Sequence, residues 1–262
     1  MFFLDAHAHF YPDYSYSLYF DSLFKNIEKL KEHTKDEEDV LQAAGIILTE
    51  RNDCSFYRTM LDSNSFPTEL KGKYYMKGDV IYSLTNPTLT PVRFYPGRQV
   101  STIERIEVLA LLREEPLPEN IKLETLISLI SESGGIPVIN WAPGKWMGER
   151  GRIVKETLLN NQQNLLLGIT TLLPLNFPFP PLLFLGKKLG INCIGGSDPL
   201  PFSGEEKLVG TFGMAFPALD TAPELHALKH LLLRSPYSFI GRRNNFAEVL
   251  YRLIRNEFVR RQ

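Results

Sequence analysis

The sequence predicts an α/β fold, a (β/α)7–8 barrel of the TIM-like kind with room for distortion. Three observations point there. Short apolar segments alternate with amphipathic helical ones along the chain. No internal repeat or low-complexity linker divides it. Its 262 residues match the size at which a single closed barrel is common. Residues 1–262 are therefore read as one domain.

Residues 2–6 form a short apolar strand. In the helix that follows, Leu18, Phe20, Leu23, Phe24, Ile27 and Leu30 recur at mostly helical spacing. Residues 44–49 (AGIILT) form an uninterrupted apolar run, as a strand buried on both faces requires. Residues 79–83 and 92–95 read as shorter strands around a Pro-rich turn. Residues 106–112 fit strand or helix by periodicity and are assigned as a strand. An amphipathic helix over 119–132 stops at Gly134-Gly135, a suitable C-terminal cap. Ile136–Asn140 is the next strand. A helix over 151–160, a strand over 165–169 and a helix over 182–189 ending at Gly190 follow. A strand over 191–194 then leads into Gly195-Gly196-Ser197-Asp198. Helices at 224–233 and Phe246–Val259, with a short strand at 238–240, complete the chain. Strands alternating with helices imply parallel crossovers. Seven or eight strand candidates favour closure over an open doubly wound sheet. A nucleotide-binding version of that sheet lacks its GxGxxG or phosphate-loop motif.

The formal net charge is −1, so no global basic field exists to hold nucleic acid or anionic lipid, and no nucleic-acid partner is expected. Two cysteines, Cys54 and Cys193, form no disulfide framework and suit a reducing, cytoplasmic setting. The opening MFFLDAHAHF has neither a basic start nor an apolar run before Asp5, so it does not read as a signal peptide. Residues 165–186 are uncharged and long enough to span a bilayer. Pro174, Pro178, Pro180 and Pro181 break any continuous helix there, so no membrane span is expected. The C-terminal stretch carries Arg242, Arg243, Arg252, Arg255, Arg260 and Arg261. It reads as a closing helix whose packing face is Phe246, Val249, Leu250, Leu253 and Ile254.

Chemistry concentrates at two strand ends, where parallel barrels carry their active sites. His7 and His9 are two apart, so they project to one face as the first strand ends, and two such imidazoles can hold one divalent cation. The alternative is a hydrogen-bonded pair at a strand end. Asp198 follows an apolar strand and small residues. It can ligate a metal and accept a proton from metal-activated water, or serve as a turn residue before Pro199. Lys145, Arg150 and Arg152 lie in a Gly-containing segment after Ile136–Asn140. They are candidate anion contacts, with Arg98 as a possible addition. The competing reading pairs those charges with Glu149 or Glu156. His226 and His230 lie one turn apart but lack the Glu of an HExxH motif, so an ordinary helix face is favoured. Tyr11 and Asp13 are candidates for the pocket mouth, and Cys54 is read as packing.

The motifs DAHAH and GGSD resemble the amidohydrolase and PHP (polymerase and histidinol phosphatase) superfamilies. The middle of the chain is more similar to PHP. Pro96-Gly97-Arg98-Gln99-Val100 followed by Ile106-Glu107-Val108-Leu109 resembles "PG-x-E-I … I-H-x-L". Gly134-Gly135-Ile136-Pro137-Val138-Ile139-Asn140 resembles "GG-I-P-V-x-A-H-P", and Gly196-Ser197-Asp198-Pro199 resembles "GSDAH". The resemblance implies a metal-dependent hydrolase acting on an anionic small molecule such as a phosphoester. It carries over His7, His9 and Asp198 as metal ligands and Asp198 as the catalytic residue. Gln99 stands where the family has a bridging Glu, and Glu107 where it has a His that a carboxylate can replace. Asn140 or Trp141 stands in place of another His, and Pro199 in place of the last. The multi-metal site is thus reduced to one divalent transition metal (Zn, Mn or Fe), with His7, His9, Glu107 and Asp198 as candidate ligands. Gln99, Arg98, Asn140, Lys145, Arg150 and Arg152 are the candidate substrate contacts. Two other readings stay open: a catalytically degenerate barrel that binds or scaffolds, and an amidohydrolase acting on a C–N bond. Oligomeric state is not legible in the sequence.

Overall fold

The structure is a computed structural model that describes residues 1–34, 40–160, 164–217 and 219–260. Its elements in chain order are β1 (Phe2–Ala8), α1 (Tyr16–Thr34), β2 (Ala43–Glu50), α2 (Phe56–Leu61), β3 (Tyr74–Lys77), β4 (Val80–Ser83) and β5 (Val92–Ser101). There follow β6 (Glu107–Leu111), α3 (Leu123–Glu132), β7 (Ile136–Asn140), α4 (Gly148–Asn160), β8 (Leu166–Thr170), α5 (Pro181–Lys188) and β9 (Cys193–Gly196). The last four are β10 (Phe212–Phe216), α6 (Leu225–Arg234), β11 (Ser238–Gly241) and α7 (Phe246–Val259).

One sheet runs β11-β10-β1-β2-β5-β6-β7-β8-β9, with the β3–β4 hairpin attached to β5. It curls into a nearly closed, distorted barrel, as the element pattern predicts. β10 pairs with β1 only over Phe2 to Leu4. The rest of that edge is free for the end of β9, and the Asp198 amide donates to the His7 carbonyl at 2.8 Å.

Two features depart from the simple parallel pattern. β6 is antiparallel to both β5 and β7, so its first residue, Glu107, arrives at the rim where the parallel strands end. β10, antiparallel to β1, and the short β3 and α2 are not anticipated by the alternation. α3 begins at Leu123 rather than 119, where the Glu104 carboxylate accepts from the Leu123 amide.

An apolar cluster draws Leu4 and Ala6 from β1, Ile47 from β2, Tyr95 from β5, Leu109 from β6, Val138 from β7, Leu166 from β8 and Ile194 from β9. Residues from so many strands in one cluster mark the barrel interior. α1 packs outside against Ile46 and Phe94, while α3, α4 and α5 cover Val108, Ile139 and Leu167. Residues 165–186 divide into β8, a loop and the start of α5, and among the described residues no helix is long and apolar enough to cross a membrane. The expected face of α7 is half right. Val249 is buried and Leu253 packs beside it, but Phe246, Leu250 and Ile254 are exposed. Arg261 lies outside the described residues.

Candidate metal centre

Strand periodicity decides which side chains reach the barrel mouth. Tyr95 faces inward, so Gln99 does too, and Arg98 faces out. By the same count Glu107 follows Leu109 and Asn140 follows Val138 to the inside. For β1 the count would send His7 outward with Phe3. The register against β2 shifts between Asp5 and Ala8. That bulge re-aims the side chains beyond it and brings His7 and His9 to the mouth.

There the two imidazoles meet Asp198. His7 Nε2 lies 3.0 Å from His9 Nε2, and Asp198 Oδ1 is 3.6 Å from the first and 3.5 Å from the second. Gln99 Oε1 sits 2.9 Å from His7 Nε2. The three ligating groups are buried and within 4.8 Å of one another, the one such group among the described residues. Donors about 2.0–2.2 Å from one cation, at roughly 90–110° apart, are spaced roughly 2.8–3.6 Å from each other. The cluster has those edges. A hydrogen-bond account alone fits less well. One shared proton can bridge only one of these contacts, so the remaining lone pairs of His7 Nε2, His9 Nε2, Asp198 Oδ1 and Gln99 Oε1 face one another unless a cation lies between them. The residues present therefore fit a single cation.

Protonation states agree with that. Burial pushes the His9 imidazole below its ordinary value, keeping it neutral. Burial also opposes a charge on Asp198, but the imidazoles of His7 and His9 outweigh it and hold the carboxyl well below the usual range. A neutral His9 imidazole and an ionised Asp198 carboxylate are forms that a cation binds.

The backbone around Asp198 is built for it. Gly196 has no Cβ, and one placed there would lie 2.3 Å from the His7 amide nitrogen. Asp198 has φ +49, a left-handed conformation that Asp tolerates better than most residues. The buried Asp5 carboxylate accepts from the amides of His7, Ser197 and Gly210 at 3.2, 2.9 and 3.0 Å, tying β1 to the Asp198 loop. Burial pushes its pKa up to about 6.

Glu107 stands beside the cluster rather than within it. Asn140 Nδ2 donates to its Oε1 at 2.6 Å. Burial, then the Asp198 charge, raises its carboxyl above the usual range, and the nearby Lys145 ammonium acts against them. Tyr11 lies against His9 with ring centroids 5.2 Å apart, and the Arg51 guanidinium covers its other surroundings at 5.6 Å. Asp13 is exposed. A cavity of about 430 Å³ lined by Arg51, Asn52, Asp53, Gln99, Ser101 and Glu119 shares Gln99 with the cluster.

Three cations are placed otherwise than expected. Arg98 is buried outside the barrel wall, donating to the carbonyls of Glu114, Arg51 and Cys54, because adjacent strand residues face opposite ways. Arg152 is exposed on α4 and ion-paired with Glu149 and Glu156. Arg150 donates to the Gly144 carbonyl at 2.9 Å. Of the basic loop, Lys145 is the cation that acts on the Glu107 carboxyl. His226 and His230 are exposed on α6.

Arg252 is the residue that sequence reading misses. It is buried, pairs with Glu205 at 2.6 Å, and donates to the Asp198 carbonyl and to Thr171 Oγ1, each at 2.8 Å. Glu205 in turn accepts from the Leu200 amide at 2.9 Å. The available signal is position: Arg252 lies three residues after Val249, on the buried stripe of α7.

No protein-family model and no curated protein matches the sequence. Solved structures do. PsfC from Pseudomonas syringae superposes with a TM-score of 0.52 at 16% identity, over 99% of this chain and 97% of that one. The lesion-specific endonuclease PfuEndoQ from Pyrococcus furiosus gives 0.50 at 12% identity, over 90% of this chain and 57% of the other. A two-domain Bacteroides vulgatus protein, described as containing a PHP-like metal-dependent phosphoesterase, gives 0.46 at 14% identity, over 97% and 69%. The motif set of the sequence falls on β1, β5–β7 and the end of β9 in this barrel, around a His/His/Asp cluster. At these identities the likeness is one of fold, the distorted barrel described above. That likeness corrects one expectation. A protein that shares the barrel fold is a lesion-specific endonuclease, so the near-neutral net charge of this chain does not exclude a nucleic-acid partner.

Proposed function

We propose that this PHP-like barrel is a metal-dependent hydrolase of an anionic phosphoester, with the whole chain serving as one domain. The observation that carries the reading is the convergence of His7, His9 and Asp198 at hydrogen-bond range of one point. One divalent transition metal held by these residues would supply Lewis acidity and neutralise phosphoester charge. Asp198 presents Oδ1 to the imidazoles, and we assign its other oxygen, Oδ2, the proton released by the attacking water. Gln99 offers a neutral amide where a second anionic ligand would otherwise sit, which favours one metal over two. Lys145 supplies a cation for the substrate's charge, and Asn140 orients Glu107. Two unpaired cysteines support a cytoplasmic setting.

The test joins metal content to activity. Elemental analysis should find close to one transition metal per chain, and His7→Ala/His9→Ala should remove it together with phosphoesterase activity. A small phosphoester and a lesion-bearing duplex belong in the same assay, because the barrel is shared with an endonuclease. Undiminished hydrolysis by the metal-free double variant would overturn the mechanism.

A further inference from the structure

Beside the metal cluster the same rim carries a second cavity, of about 530 Å³. Its walls come from three places: Trp141 and Trp146 after β7, Phe177 and Phe179 in the loop after β8, and Leu250 and Phe246 on α7. None of its lining residues among those described is charged. The size is that of a small-molecule site, where roughly 300–1,000 Å³ is usual. Several lining groups are costly to leave in water: Phe246 is 63% exposed, Leu250 48% and Phe179 37%.

The cavity shares no lining residue with the centre, but two of its walls are built on segments that also carry residues of the centre or its supports. Trp141 directly follows Asn140, which holds Glu107, and the Trp146 indole donates to the Asn140 carbonyl at 3.1 Å. Lys145 lies between two lining residues, Gly144 and Trp146, so one short loop reaches from the groove to the cluster. On the other wall Val249 and Leu253 pack with Leu200 and Phe202 of the Asp198 loop. Arg252, beside Leu253, bonds the Asp198 carbonyl.

We infer that the groove holds the apolar part of the substrate, so that the chain acts on an amphipathic phosphoester whose aliphatic or aromatic group lies between Trp141, Phe179 and Leu250. The inference rests on the phosphoesterase reading for the polar end of that molecule. An apolar group there would shed water from both surfaces and fix the ester against the cluster.

The chain has two tryptophans, and both line the groove. Their emission reports occupancy independently of catalysis. Titration of the full chain with methyl, butyl and octyl phosphate should give saturable emission changes, with octyl phosphate bound at least about tenfold more tightly than butyl. Leu250→Asp and Phe179→Asp should each remove at least about tenfold of the octyl affinity while metal content and circular dichroism stay unchanged. An emission response equal for all three esters, or absent for all, overturns the inference. So does a response that follows protein concentration, which marks a second copy of this chain. A response to anionic vesicles but not to monomeric octyl phosphate overturns it in favour of a membrane surface. The two proposals fail separately. Metal-dependent hydrolysis without chain-length dependence sinks the groove alone, and chain-length-dependent binding without hydrolysis of any ester sinks the phosphoesterase alone.

Discussion

At residue scale the centre depends on groups that hold Asp198 as much as on Asp198 itself. Gly196→Ala should place its Cβ against the His7 backbone. We expect a loss of stability toward the upper end of roughly 1–3 kcal/mol, read by urea denaturation, with loss of bound metal. Arg252→Met leaves Glu205 buried and unpaired and removes a donor from the Asp198 carbonyl. A cost of about 3–5 kcal/mol is expected, and Arg252→Met/Glu205→Gln should recover part of it. A single variant as stable as wild type would show that the pair does not hold the loop. The thiols bear on chemistry in a different way. Burial pushes Cys54 up to about 11 and Cys193 up to about 12. Both should therefore alkylate slowly at neutral pH in the folded protein and quickly in denaturant, as iodoacetamide labelling followed by mass spectrometry will show.

At element scale two irregularities make the site. The β1 bulge turns His7 and His9 inward, and the reversed direction of β6 delivers Glu107 to the rim. Neither is written in residue spacing. The HxH pattern says that the imidazoles share a side, but which side depends on the pairing of β1 with β2. α7 illustrates the same limit. Its hydrophobic periodicity is plain, yet of the apolar residues only part of the stripe faces the barrel, with Arg252 among them. Its start, by contrast, is local. Asn245 accepts from the Glu248 amide at 2.9 Å while the Glu248 carboxylate accepts from the Asn245 amide at 2.8 Å, a capping box. Asn245→Ala should cost about 1 kcal/mol in thermal or urea unfolding. Because α7 carries Arg252, metal affinity should fall with it; unchanged affinity would mean that fraying does not reach the centre.

At the scale of the molecule, the centre joins the first strand to residues nearly two hundred positions later, so a cation that binds only the folded chain should stabilise all of it. Free metal at 100 times its Kd would add about 2.7 kcal/mol, seen as a rise of several degrees in Tm that His7→Ala/His9→Ala abolishes. A chelator should reverse the rise in wild type, and no shift in either protein would argue against a cation bound at the cluster. The net charge of the chain does not decide its partners, since an average over 262 residues says nothing of the field at one rim.

The amino-acid sequence alone determined the alternation of strands and helices, the barrel, and the residue types of the centre, because periodicity and local motifs depend on neighbours a few positions away. His7, His9 and Asp198 were legible for that reason, each at the end of an apolar strand. The tertiary structure decided the rest. It turned Arg98 outward, paired Arg152 with its own helix, set Arg252 behind Asp198, and left an apolar groove beside the metal ligands. Such outcomes depend on strand register and on which surfaces meet, and those are set by burial summed over distant segments rather than by any short run of residues.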